Sequence, residues 1–251
     1  MYCAETYGRI IISENCLPEH EKTIKPTSIG GVAGGRKYIC HGILFKFAVD
    51  DHGLYQGDDN AMKAASHDLK GLMNYYHCAI ADLHVPLMAY IDYRGFRLTA
   101  ISVLPLSAGS LAYGSNDVGR TVHSSNARLN DMMQEAGRIL NLKGHRVGPD
   151  ETLVYGPADI EGHIGSDGRF YVLDFARVAP PQPPVGRGDQ LFKLFRMEFV
   201  RRYRVPLCSD GFSTLGRIDY HEHNAELREA YEHLMGPGTH SLSSLIHSFI
   251  H

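Results

Sequence analysis

The chain has 251 residues, 43% of them hydrophobic and 21% charged, with a formal net charge of -3 and a pI near 6.6. This balance suits one or two soluble domains with a sizeable core, excludes a disordered or low-complexity protein, and gives no general drive toward nucleic acid. Five widely spaced cysteines without a Cys-x-x-Cys pair point to buried or incidental thiols rather than a disulfide framework or thiolate zinc site.

No apolar run approaches the roughly 18 residues of a membrane span. Met1 to Ile12 also lacks a basic region followed by a long apolar core. A cytoplasmic protein without membrane insertion is expected.

Residues 1–29 read as a lead-in, with Arg9-Ile10-Ile11-Ile12 as a short strand. Gly30-Gly31-Val32-Ala33-Gly34-Gly35 is a flexible loop opening onto a strand over 38–49. Lys46 sits in that strand between Phe45 and Phe47, so alternation puts it on the face of Leu44 and Ala48. Taken alone, it reads first as a lysine guarding an edge strand.

The spacing of Met62, Ala65, Leu69, Leu72, Met73 and Tyr76 predicts a helix over 60–78, with Asp68 in its middle. A helical acid of this kind also reads as a solvated face. Residues 85–106 form strands around an Arg94-Gly95 turn, and 106–120 is a Gly/Ser-rich connection. The clearest helix is 123–142, with Ser125 or Asn126 as its cap and Lys143-Gly144-His145 as its end.

Leu153-Val154-Tyr155 follows as a short strand, and then an acidic, turn-rich stretch, Gly156 to His163. Ile164 to Arg177 is a hairpin turning at Asp167-Gly168 and running through Phe170 to Leu173 into Asp174. A carboxylate where a hydrophobic strand ends costs several kcal/mol, on the order of an ion's desolvation, unless it finds a cation, a metal or backbone donors. Pro180 to Pro184 is extended, and helices are expected over 190–203, 222–235 and 242–250. His221-Glu222-His223 offers two imidazoles that point apart on a helix, and Arg201 to Arg204 a local basic cluster beside Tyr203, with RNA as a possible partner.

The order of elements resembles the protein-kinase-like fold: a Gly-rich loop, a strand bearing a lysine, a helix bearing an acid, then a hairpin ending in Asp-Phe-Ala. The resemblance implies an α+β, two-lobed architecture, with an antiparallel-sheet N-lobe over 30–106 and a mainly helical C-lobe over 107–251. It also implies ATP and Mg2+ as cofactors and transfer of the γ-phosphoryl group to an unknown protein or small molecule. By motif, Gly34 and Gly35 would cover the phosphates, Lys46 would bind them and pair with Asp68, and Asp174 would hold the metal. Asp159 would be the base, with Glu161 or His163 as a further metal ligand. No His-Arg-Asp tripeptide is present, since His145-Arg146 runs into Val147, and Ala176 stands where that family has glycine.

From Gly31 to about Val205 the chain resembles the Clu domain of the clustered mitochondria proteins. The resemblance rests on His67-Asp68-Leu69-Lys70-Gly71, Asp92-Tyr93-Arg94-Gly95-Phe96-Arg97, Leu111-Ala112-Tyr113-Gly114-Ser115 and Gly165 to Asp174. Full-length members are large cytosolic proteins associated with mitochondrial distribution and with messenger RNAs for mitochondrial proteins. The domain is expected to stand nearly alone here, without the helical repeats that usually follow it. The competing expectation is therefore a non-catalytic scaffold or an RNA- or ribosome-associated domain, in which Lys46 pairs directly with Asp68 or Asp174.

Overall fold

A computed structural model describes residues 2–29, 35–215 and 219–236. The loop residues 30–34 and the expected helix over 242–250 lie outside the described residues. In chain order the elements are α1 (Tyr2–Ser13), β1 (Lys37–Cys40), β2 (Ile43–Phe47), α2 (Asp58–His77), β3 (Leu83–His84), β4 (Met88–Tyr93) and β5 (Phe96–Ser102). There follow β6 (Leu111–Gly114), β7 (His123–Ser124), α3 (Ala127–Leu140), β8 (His145–Val147), β9 (Thr152–Val154), β10 (Glu161–Ile164), β11 (Phe170–Leu173), α4 (Met197–Val200) and α5 (Tyr220–Met235). The architecture is α+β, built largely on antiparallel pairs.

The first sheet has the order β1-β2-β5-β4. Its Tyr38, Phe45, Phe47 and Leu98 face α1, which buries Ala4, Gly8, Ile11 and Ile12 against them. Those positions recur at helical spacing, so Ile10 to Ile12 form part of a helix and not the expected strand; the β-branched run had masked the longer period. The segment before residue 30 thus supplies one wall of this sheet's core.

The second sheet runs β3-β11-β10-β6-β7, antiparallel except for the β3–β11 pair, and β8 and β9 form a separate ribbon. Around it lies the larger core, with Leu72 and Tyr75 of α2, Leu129 and Met133 of α3, and Leu227 of α5. From 107 onward the described residues hold six strands, β6 to β11, together with α3, α4 and α5. The stretch holding β6 had read as loop because its glycines and serines outweigh four strand residues.

Two helices are shorter than expected. α3 begins at Ala127 because Asn126 caps it, accepting from the Leu129 N–H at 3.0 Å, while His123 and Ser124 pair with β6. Its end is set by Asn141 in the left-handed conformation, two residues before the expected Lys143-Gly144 stop. In 190–203 only Met197–Val200 is α-helical. Lys193 and Phe195 instead pair with the Pro-rich segment, through Gln182 N–H to the Lys193 carbonyl (2.9 Å) and Phe195 N–H to the Pro180 carbonyl (2.8 Å). The apolar spacing of Phe192, Phe195 and Phe199 mimics a helix there.

Candidate functional site

The face of the first sheet turned away from α1 carries two rows of side chains. Ile39, Leu44, Ile101 and Met88 are successive cross-strand partners, and two residues along lies a second row of Lys37, Lys46, Thr99 and Tyr90. A cavity of about 280 Å³ opens beneath them, roofed by the apolar row and closed at one end by Lys46, Asp68, Asp174 and Phe175. Lys46 lies on Leu44's face as alternation requires, but β2 sits between β1 and β5, which removes the edge-strand reading.

Asp68 is placed by α2. Its Oδ1 accepts from the Phe175 N–H at 3.0 Å and its Oδ2 lies 4.0 Å from Lys46 Nζ. One turn on, Gly71 lets the backbone of Phe175 approach; a Cβ at Gly71 would stand 2.2 Å from the Phe175 carbonyl oxygen. Tyr90 fixes the same turn from the sheet, its hydroxyl donating to the Ala65 carbonyl and accepting from the Leu69 N–H at 3.1 Å. His67 reaches the Phe192 carbonyl at 3.0 Å. The run His67 to Gly71 therefore reads as a docking device for the chain after β11.

Asp174 leaves β11 in the left-handed conformation, φ 58, a region that costs an ordinary residue about 1–2 kcal/mol and that aspartate tolerates better than most. Its carboxyl is exposed, but into the cavity, with protein on the other sides. Burial pushes its pKa up to about 7; Lys46 pulls it down, while Asp68, Glu161 and Asp159 add to the rise. Lys46 is held protonated in spite of its burial by Asp68 and then Asp174. Burial raises Asp68 as well, more than Lys46 and the Phe175 N–H lower it.

Below this centre lies a chain of charges. Arg177 donates from Nε to Asp159 Oδ2 (2.7 Å) and from one terminal nitrogen to Asp159 Oδ1 (2.9 Å) and Asp210 Oδ1 (2.6 Å). Asp210 Oδ2 takes His145 Nε2 at 2.7 Å and the Ala158 N–H at 2.8 Å. Burial works against the ionisation of Asp210, yet Arg177 and His145 prevail and hold its pKa at about 2. Burial likewise opposes the charge on Arg177, and Asp159 and Asp210 outweigh it. Residue 145, expected only as a helix terminator, is thus an internal partner.

Lys46, Asp68 and Asp174 are brought together in the cavity wall, and Asp159 and Glu161 lie near enough for their charges to act on Asp174. Glu161 and His163, on one face of β10, bond each other (3.0 Å), and His163 turns its other nitrogen to Ser110 (2.9 Å). Among the described residues no three of His, Cys, Asp and Glu are arranged to hold a metal ion. Gly34 lies outside the described residues. Gly35 lies against Val49 and Asp51 and does not line the cavity.

Sequence reasoning missed Lys37, Tyr90, Arg177 and Asp210. The register makes Lys37 the cross-strand partner of Lys46, which alternation within β1 alone could not reveal. Arg177, three residues after Asp174, was visible but carried no role.

Elsewhere, Phe199, Arg202, Tyr203, Arg204 and His233 line a shallow cavity of about 220 Å³. Arg201, outside that lining, bonds Asn74 at 3.0 Å, and Arg204 pairs with Glu229. His221 is exposed and His223 buried, so the two imidazoles do point apart.

A family model described as clustered mitochondria matches residues 1–184. A clustered mitochondria protein homolog of Xenopus tropicalis is 29% identical over 212 residues, 79% of this chain and 16% of that protein. The homolog of Homo sapiens is 32% identical over 185 residues, 68% of this chain and 14% of that protein. Protein clueless of Drosophila ananassae is 34% identical over 188 residues, 68% and 13%. The chain thus spans about a sixth or less of the length of these relatives. Among the described residues no helix is long and apolar enough to cross a membrane.

Proposed function

Because the chain belongs to the clustered mitochondria family, we propose that it is a cytoplasmic, non-catalytic scaffold domain serving mitochondrial distribution. The observation that carries this reading is the two-pronged grip of Arg177 on Asp159. A general base must be within hydrogen-bond reach of a substrate proton. Here the candidate base is clamped in place by a buried guanidinium and does not line the cavity, and Asp68 is engaged by the Phe175 N–H and by Lys46. Both acids act as struts. For a partner, the aromatic groove beside Arg202 suits RNA, whose bases stack on rings and whose phosphates meet arginine.

The cavity supports a second reading, a kinase-like nucleotide site. Its apolar row suits a flat ring and Lys46 suits a phosphate. Magnesium accepts one or two carboxylates together with phosphate oxygens, and Asp174, open to the cavity, would hold it, where it would supply charge to neutralise a phosphate. The other acids are engaged with protein partners, so the fit is to a single carboxylate.

A thermal-shift titration with ATP and magnesium separates the two. A ligand at a hundredfold excess over Kd stabilises by roughly 2.7 kcal/mol. No shift, or the same shift in Asp174→Ala, supports the scaffold. A shift abolished in Asp174→Ala supports a nucleotide site.

A further inference from the structure

The cavity under the first sheet has one chemistry along its length and another at its end. Lys46 and its cross-strand partner Thr99 form the inner row, Leu44 and Ile101 come two residues outward, and Val103 lies two further on. Four residues at strand rise make this apolar tract about 13 Å long from Lys46 to Val103. Leu106 and Leu173 also line it. Ile39 and Val103 are 43% and 51% exposed, so the outer end opens to solvent between hydrocarbon side chains.

At the inner end Asp174 differs from the acids around it. Asp68 has the Phe175 N–H and Lys46, Glu161 has His163, and Asp159 has Arg177. Among the described residues no hydrogen bond reaches the Asp174 carboxyl, which opens into the cavity. The charges that face it are Lys46 of β2, Lys37 beside Lys46 on β1, Asp68 of α2, and Glu161 of β10, the cross-strand partner of the neighbouring Leu173. With Asp159 answered by Arg177 and His163 neutral, two lysines meet three carboxylates, and ionised Asp174 leaves one negative charge over. Burial, and then Asp68, Glu161 and Asp159, hold its carboxyl up at about 7 against the pull of Lys46.

We propose that the cavity binds a small organic cation, a primary ammonium on an apolar body, with the ammonium on Asp174 and the body along Leu44, Ile101 and Val103. The walls decide between this cation and a bare metal ion. A metal ion asks for about six oxygens or more, from protein and water, and the tract beside Asp174 is hydrocarbon. An ammonium is satisfied by one carboxylate, in a charge-assisted hydrogen bond, and its body takes the tract that a hydrated ion would leave unused. A ligand of this class asks for no chemistry from the protein, so the inference goes beyond the scaffold reading without drawing on the nucleotide one.

The probes are straight-chain alkylammonium ions, titrated calorimetrically into the whole chain. At pH 8 hexylammonium binds about fifteenfold more tightly than butylammonium, about fourfold for each methylene buried. At pH 6 its affinity is about tenfold lower, because a proton then competes for Asp174. Asp174→Asn loses about tenfold or more of the affinity at pH 8 together with the pH dependence, and its melting curve shows that it is folded. Hexanoate, with a similar body and the opposite charge, does not bind. Absence of hexylammonium binding overturns the proposal. Equal binding of hexylammonium and hexanoate overturns it too, leaving an apolar hole without a recognising charge, as does an Asp174→Asn chain that binds hexylammonium like the wild type. Magnesium chloride that displaces hexylammonium at equal concentration gives the inner end to a metal ion and also overturns it. None of these results bears on the scaffold reading, which is tested by ATP with magnesium.

Discussion

Arg177 holds both carboxylate oxygens of Asp159, at 2.7 and 2.9 Å, while its second partner, Asp210 at 2.6 Å, lies fully inside the protein. This pairing ties the loop before β10 to the segment after β11. Removing the guanidinium leaves Asp210 buried with only His145 and the Ala158 N–H. Arg177→Ala should therefore destabilise the fold by about 3–5 kcal/mol, the usual cost of breaking a buried pair. Urea unfolding measures it through the midpoint at constant slope.

Asp174 gives the fold a pH dependence of definite sign. Its pKa rises from the ordinary 3.8 to about 7 on folding, so between those values the folded chain binds the extra proton. Its contribution is most favourable below about pH 4 and weakens as pH rises to 7. Asp174→Asn should be near neutral at pH 4 and increasingly stabilising toward pH 8, with the gain levelling off above 7. Melting curves across that range check it; a gain that is the same at all pH values contradicts the placement of this acid.

Gly71 is the seat on which Phe175 rests. Gly71→Ala puts a methyl 2.2 Å from a carbonyl oxygen, which forces α2 and the chain after β11 apart. Overpacking of this kind costs about 1–3 kcal/mol, enough to outweigh the gain in helix propensity of about 1 kcal/mol that alanine brings. Calorimetric unfolding of the variant should show a net loss, whereas a neutral or stabilised variant would contradict the close approach.

The groove beside α4 should respond to charge. Arg202→Glu is expected to weaken binding to single-stranded RNA and to reduce the salt slope by roughly 0.7 for each phosphate no longer neutralised. Fluorescence anisotropy at several salt concentrations reads both, and an unchanged slope removes the RNA partner from this face.

Much of the fold could be read from the residues because local signals agreed with packing. The Asp167-Gly168 hairpin, Lys46 on the face of Leu44, and the amphipathic α2 and α3 all follow from period and turn chemistry. What could not be read depended on residues far apart in the chain. Leu194 and Phe195 look helical until Pro180 and Gln182 pair with them. Asp159 looks like an unattached acid until the turn between β10 and β11 brings Arg177, eighteen residues on, to it. Of the cavity wall, Lys46, Asp68 and Asp174 stand out in the sequence, with the Lys46–Asp68 pairing among the expectations, whereas Lys37, Tyr90, Arg177 and Asp210 do not, since their positions are set by strand register and long-range packing that leave no periodic trace.

The most direct test of the scaffold account pairs two readings on one variant, Asp159→Asn: its urea midpoint, and the release of γ-phosphate from ATP with magnesium by wild type and variant. The account predicts a lower midpoint in the variant, from the lost charge opposite Arg177, and no turnover by either protein above a buffer blank. Turnover by the wild type that disappears in a variant of undiminished stability would contradict it, and would make Asp159 a base rather than a strut.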